Sequence, residues 1–169
     1  MGDLVYGFEP VYDKDSRILI LGSFPSVKSR KTEFYYGNRQ NRFWRVVCSY
    51  FGESVPETTE EKRRFVLRRN IALWDIVTEC EIVGSQDSTI KNFKVADINS
   101  LLQNSKVGFI ILNGSKAFSV FEANYASLQI PYVKLPSTSP ANTRFNEEEW
   151  KYAISRAFNG TQRQCRRRI

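Results

Sequence analysis

Histidine does not occur in the chain of 169 residues. Its absence removes the usual general base, the usual partner of a nucleophile and the commonest metal ligand. Ser-His-Asp hydrolysis and histidine-based metal catalysis are excluded by inventory, so any chemistry must come mainly from Asn, Asp, Glu, Ser, Tyr or Lys. Cysteine is scarce. Cys48, Cys80 and Cys165 are odd in number and widely separated, which gives neither a disulfide framework nor a metal-ligand spacing. They read as buried or incidental thiols. No segment approaches the roughly 18 consecutive apolar residues that span a bilayer, so no membrane association is expected. The N-terminus lacks the basic start, apolar run and small-residue cleavage site of a secretory signal; export is not expected and a cytoplasmic location is the default. Internal repeats, low-complexity blocks and linkers are also missing.

What is present suits one folded unit. Hydrophobic residues make up 41% and aromatics 14% of the chain, enough for a substantial core without cross-links. A single domain over residues 1–160 is expected, followed by a basic tail at 161–169. The net charge of +7 and a pI near 9.4 favour a polyanionic partner, nucleic acid first. In the tail, "RQCRRRI" places Arg163, Arg166, Arg167 and Arg168 after the expected last helix, where they either touch phosphate or stay solvated.

Two short apolar, β-branched runs, "RILILGS" and "KVGFIILNG", read as strands buried on both faces, as in a parallel sheet. "IALWDIV" is a short apolar element around Trp74, and "IPYVKL" is a further strand stopped by Pro136. Between them fall helical patterns. "RFWRVVCSYFG" spaces Phe43, Val46, Val47, Tyr50 and Phe51 on one face and stops at Gly52. "TTEEKRRFVLRR" opens with a capping box, Thr58 and Glu61, and continues as a basic amphipathic helix. "VADINSLLQNS" carries Asp97 as a cap, "SKAFSVFEANYA" follows the second strand, and "NEEEWKYAISRAFN" closes the series with an acidic first turn. The segment "ECEIVGSQDSTIKNF" reads as polar and turn-rich. Alternating strands and helices predict an α/β fold, a three-layer α/β/α sandwich around a mainly parallel four-stranded sheet. Ligands of such folds gather beyond the carboxyl ends of the strands. Residues 23–41, Asn113-Gly114 and residues 137–142 all sit at such ends.

With those residues assembled, the chain resembles the uracil-DNA glycosylase superfamily, most closely its hypoxanthine-DNA (deoxyinosine) glycosylase branch. The resemblance rests on "LILGSFPS", "YYGNRQNRFW", "LWDIV...GSQDSTI", "FIILNGSKA" and "LPSTSPAN", in the family's order and over nearly the whole chain. Many members of the superfamily carry a water-activating Asn or Asp where this chain has Phe24. The deoxyinosine branch shares that loss, and the resemblance nominates the Asn of its N-x-F-W motif, here Asn41, as the catalytic residue. An amide is no strong base, but its carbonyl can orient water and favour positive charge on the sugar. Asn41 before "RFWRVV" is also a good helix N-cap. By the same resemblance Gly22, Ser23 and Phe24 form the turn beneath the base, Tyr36 stacks on it, and Asn113 reads its edge through paired donor and acceptor groups. Ser137, Thr138, Ser139 and Asn142 belong to a loop that enters the minor groove and pinches phosphates.

The chain departs from the family in places. Pro140, Ala141 and Asn142 stand where relatives have a histidine or a bulky wedge, and Asn38, Arg39 and Gln40 replace a common His-Pro. Asp75 and Asp87 lie in family motifs, yet a capped turn or an ion pair explains either as well as catalysis does. Lys28, Lys31, Lys91 and Lys116 either face phosphate or stay solvated, and nothing marks one as an activated Schiff-base lysine. The expectation is a monomeric, monofunctional DNA glycosylase of base excision repair. It would act on DNA containing deaminated or mismatched bases, hypoxanthine first and uracil second, without metal or organic cofactor. The competing readings are a non-catalytic nucleic-acid-binding relative on the same scaffold, and a nucleosidase.

Overall fold

The computed structural model of the chain describes residues 3–82 and 91–166. Asp87, Arg167 and Arg168 lie outside the described residues. Four strands form the expected parallel sheet in the order β3-β2-β6-β7: β2 is Ile18–Gly22, β3 Ile71–Asp75, β6 Phe109–Asn113 and β7 Tyr132–Leu135. Every residue of β2 is buried, as its unalternating apolar sequence requires of a strand covered on both faces. The free edge of β3 is closed by Val11, which exchanges backbone hydrogen bonds of 2.9 Å with Leu73.

Side chains alternate between two cores. Ile18, Ile20, Ile71, Leu73, Ile111 and Leu135 face α2 (Phe43–Tyr50), α3 (Thr59–Arg68) and α6 (Glu147–Arg166). Leu19, Leu21, Ala72, Ile110 and Leu112 face α4 (Ile98–Gln103) and α5 (Ser115–Tyr125). The path from β2 to β3 runs through the first helical layer, and that from β6 to β7 through the second. The neighbouring strands β2 and β6 therefore send their chains to opposite faces, and the crevice between their carboxyl ends is the switch point where such folds bind ligands.

Three features depart from the sequence reading. The segment read as polar and turn-rich overlaps β4 (Val77–Ile82) and β5 (Lys91–Val95), which join β1 (Asp3–Tyr6) in an antiparallel sheet of order β1-β4-β5. Its polar sequence suits strands with one wet face, and register shifts within β4 break the alternation that would have marked it. The loop at 23–41 holds a short helix, α1 (Val27–Thr32), whose Ser26 cap accepts from the Ser29 N–H. Finally, α6 runs to Arg166, so Arg163 and Arg166 continue a helix instead of following it.

The starts of α3 and α4 follow their sequence signals. Asp97 caps α4 through the Ser100 N–H, and Thr58 and Glu61 form a reciprocal capping box on α3. Thr58→Ala is expected to cost about 1 kcal/mol of stability. Chemical denaturation checks it, and an unchanged midpoint would show that packing alone holds this end of α3.

Candidate active site at the carboxyl ends of the parallel strands

Register decides which groups meet at the rim. Gly22 pairs with Asp75, and Leu21 with Leu112, so Asp75, Gly22 and Asn113 stand side by side on three adjacent strands. Alternation turns all three toward the α2/α6 face, above Ile20, Leu73 and Ile111. Gly22 must lack a side chain. A Cβ there would run into Asp75 Oδ1 and stand 3.1 Å from the Tyr36 hydroxyl oxygen. Asp75 and Asn113 are both buried, at 5% and 8% exposure, so a carboxylate and an amide flank a glycine deep in the rim.

Tyr36 covers this group. Its backbone is left-handed, with φ of 54°, which few non-glycine residues adopt. Its ring stacks on Phe43 with centroids 4.0 Å apart and planes at 24°. The hydroxyl is buried and makes no hydrogen bond of ordinary geometry. Burial first, and the Asp75 charge second, push it far above the usual phenol range, an effect that Asn113 beside it only partly offsets. Tyr36 therefore stays neutral. Tyr35 is raised by the same two causes in the same order, and it donates to the Glu9 carbonyl at 2.8 Å.

Asn113 is tied to the loop after β7. Its Oδ1 accepts the Thr138 N–H at 3.0 Å, and its Nδ2 donates to Thr138 Oγ1 at 3.0 Å. Thr138 is consequently turned inward, at 1% exposure. The Thr138 carbonyl accepts the Arg42 N–H at 3.1 Å. The Arg42 guanidinium in turn donates to the carbonyls of Asn142, at 2.8 Å, and Ser139, at 3.4 Å, and lies over the Phe145 ring. Arg42 thus straps the Asn41 segment to the loop at 137–142. The sequence offers no sign of this role, because its partners are main-chain carbonyls far along the chain.

Asn41 is half-buried, and its Oδ1 accepts the Phe43 N–H at 2.9 Å, closing a turn just ahead of α2, whose N-cap position is Arg42. The expected N-cap role is not seen, because the cap residue is Arg42 and makes no side-chain cap bond; the turn occupies one lone pair of the Asn41 amide. The second lone pair and the Nδ2 donors engage no group among the described residues. In the loop at 137–142, Ser137 Oγ accepts from the Ser139 N–H at 3.1 Å and Ser139 Oγ from the Ala141 N–H at 3.3 Å. Asn142 Nδ2 donates to the Ser137 carbonyl at 2.9 Å. These bonds leave each serine hydroxyl proton available and present Pro140 and Ala141 at an exposed tip. Trp150 anchors the loop's start by donating to the Pro136 carbonyl at 2.8 Å.

Phe24 does not join the group. Its ring lies in the opposite core, 3.5 Å from where a Cβ on Gly7 would stand. Ser23 is half-buried beside it, and its carbonyl accepts from Val77. Among the described residues no group of His, Cys, Asp and Glu is arranged to hold a metal ion. Burial pushes the Cys48 thiol up to about 11, which keeps it unreactive.

The comparisons with known proteins bear on this arrangement. The model of the uracil DNA glycosylase superfamily matches residues 9–158, which include every rim residue named above. The chain belongs to the uracil DNA glycosylase superfamily. Similar proteins include one called hypoxanthine DNA glycosylase in Methanosarcina acetivorans, 39% identical over 86% of this chain and 94% of that protein. Another of the same name in Methanosarcina barkeri is 33% identical over 82% of this chain and 88% of its own length. The fold agrees with the solution NMR structure of a Methanosarcina acetivorans protein, with a TM-score of 0.81 and 35% identity over 92% of this chain and 99% of that one. Among the described residues, Gly22, Tyr36, Asn41, Asp75, Asn113 and the loop at 137–142, all from motifs that suggested the family, lie at one rim, whereas Phe24 does not; "GSQDSTI" lies outside the described residues. Asp87 lies outside the described residues.

Gly22→Ala tests the packing of the rim. The added methyl must displace the Asp75 carboxylate or Tyr36, and overpacking of this kind costs about 1–3 kcal/mol. A loss of that size in denaturation is expected; wild-type stability would mean that the rim has room the structure does not show.

Proposed function

We propose that the protein is a monofunctional DNA glycosylase of base excision repair. It extrudes a deaminated base, hypoxanthine first and uracil second, and hydrolyses the N-glycosidic bond to leave an abasic site. The observation that carries this reading is the strap by which Arg42 ties the Asn41 segment to the loop that Asn113 holds, beside Tyr36, at the switch point of a chain that belongs to this superfamily. Extrusion costs a few kcal/mol and is cheapest at a mispair, where deaminated bases occur. The Tyr36 ring has Phe43 on one side, and its other face offers the base a stacking surface. Asn113 keeps one lone pair beyond the one Thr138 uses, and its second N–H lies beside the Tyr36 hydroxyl, an amide edge that suits a lactam with its adjacent acceptor and donor.

Cleavage of an N-glycosidic bond proceeds with growing positive charge on the sugar, so fixed dipoles can replace a strong base. The free lone pair of Asn41 orients the attacking water in this mechanism, while its other lone pair pins the amide to α2. The hydroxyls of Ser137 and Ser139, with Asn142, face the phosphates beside the extruded nucleotide. Lys28 and Lys31 are exposed, and Lys116 lies over the Phe93 ring, placements that support hydrolysis over Schiff-base chemistry. The enzyme is proposed to act as a monomer.

Inosine-containing duplex at enzyme excess is expected to yield an alkali-labile site. Asn41→Ala is expected to slow single-turnover release by at least about 100-fold with duplex binding kept within a few-fold. A wild-type rate in that variant, with stability lowered by about 1 kcal/mol, would assign Asn41 to holding the turn before α2 alone. Intact DNA under wild-type enzyme would leave a binding protein on this scaffold, and faster turnover of free inosine than of duplex would indicate a nucleosidase.

A further inference from the structure

The basic helix α3 has no part in the mechanism above, yet it is fixed against the wall of the site. Phe65 and Val66 bury its inner face, and the capping box holds its first turn. Because α3 leads directly into β3 and runs back along it, its N-terminal half lies toward the rim. There the Lys62 Nζ stands 5.3 Å from the Trp44 ring centroid, and the Arg63 guanidinium carbon 5.3 Å from that of Phe34. Those two rings are stacked on each other, with centroids 6.0 Å apart and planes at 17°, and Trp44 donates to the Tyr35 carbonyl at 2.9 Å. The cations are thus seated on the back of the segment that carries Tyr36 and Asn41.

Their charge is not compensated locally. Glu60 pairs with Arg64, Glu53 with Arg68 and Arg69, and the Glu61 carboxylate accepts from the Glu57 and Thr58 N–H groups of the cap. Among the described residues no carboxylate forms an ion pair with Lys62, Arg63 or Arg39, and Arg39 is exposed at the tip of the turn before Asn41. Burial holds the Lys62 ammonium below its ordinary range; the Cys48 thiol opposes this and the charge of Arg39 adds to it. Like charges held together on rigid aromatic supports are a standing site for an anion.

We infer that Arg39, Lys62 and Arg63 form a phosphate-binding track for the DNA backbone, on the flank of the Asn41 segment away from the loop at 137–142. The inference rests on the reading of the partner as DNA. The strand would be gripped on both sides of the extruded nucleotide, by serine hydroxyls on one and by this track on the other. Seating Lys62 and Arg63 on a helix fixes those two cations with little ordering cost at binding.

Binding of an undamaged duplex, followed against KCl concentration, tests the track. Arg39→Gln is expected to make the log–log salt slope shallower by about 0.9, and the variant with Arg39→Gln, Lys62→Gln and Arg63→Gln by about 2–3. Arg64→Gln, on the same helix but paired with Glu60, is expected to leave the slope unchanged. Glutamine keeps a stem over each ring, and the exposed Arg39 gives a reading even if the triple variant folds poorly. An unchanged slope in Arg39→Gln, or an equal change in Arg64→Gln, overturns the inference. A shallower slope in a protein that releases no base would uphold the track and sink the glycosylase reading. Base release with an unchanged slope would do the reverse.

Discussion

An amide buried at the end of a parallel strand has to be satisfied, and the rest of the site depends on how Asn113 meets that requirement. Its two hydrogen bonds go to the backbone and the hydroxyl of Thr138. An unmatched amide at that depth would cost about 1–3 kcal/mol for each lost partner. Satisfying it fixes the loop after β7, and the Thr138 carbonyl then receives the Arg42 N–H that sets the start of α2. One buried polar group therefore couples three chain segments that are distant in sequence: the end of β6, the loop at 137–142 and the turn holding Asn41.

The same economy explains how a chain without histidine can be suited to hydrolysis. Neutral amides need no ionisation, and their positions are held by main-chain hydrogen bonds that do not titrate. The Tyr36 hydroxyl, raised by burial and by Asp75, stays protonated across ordinary pH. The rim is thus built from fixed dipoles, the arrangement that a reaction with developing cationic charge rewards. Asp75 supplies the one buried carboxylate of this group and occupies the space that Gly22 leaves.

Much of this was legible in the sequence where one local rule decided the outcome. Unalternating apolar runs marked β2 and β6 because both faces of a parallel sheet are covered, and Thr58 with Glu61 marked α3 because capping is local. The sheet of β1, β4 and β5 was not legible, since one wet face and shifted register leave a polar, irregular pattern. Asn41 was visible as a candidate site residue, but its expected cap role falls to Arg42, and its carbonyl closes the turn before α2 on the Phe43 N–H. Arg42 was invisible because its partners are carbonyls brought near only by the fold. Thr138, grouped in the sequence with its serine neighbours, faces inward because Asn113 needs it.

The most direct test of the coupling is single-turnover release of hypoxanthine from an inosine duplex by Thr138→Val, with stability measured in parallel. The substitution keeps the shape of residue 138 and its N–H, and removes only the hydroxyl that accepts from Asn113 Nδ2. A rate at least about tenfold below wild type is expected, with stability lowered by about 1–3 kcal/mol. A variant that releases the base as fast as wild type would contradict the coupling.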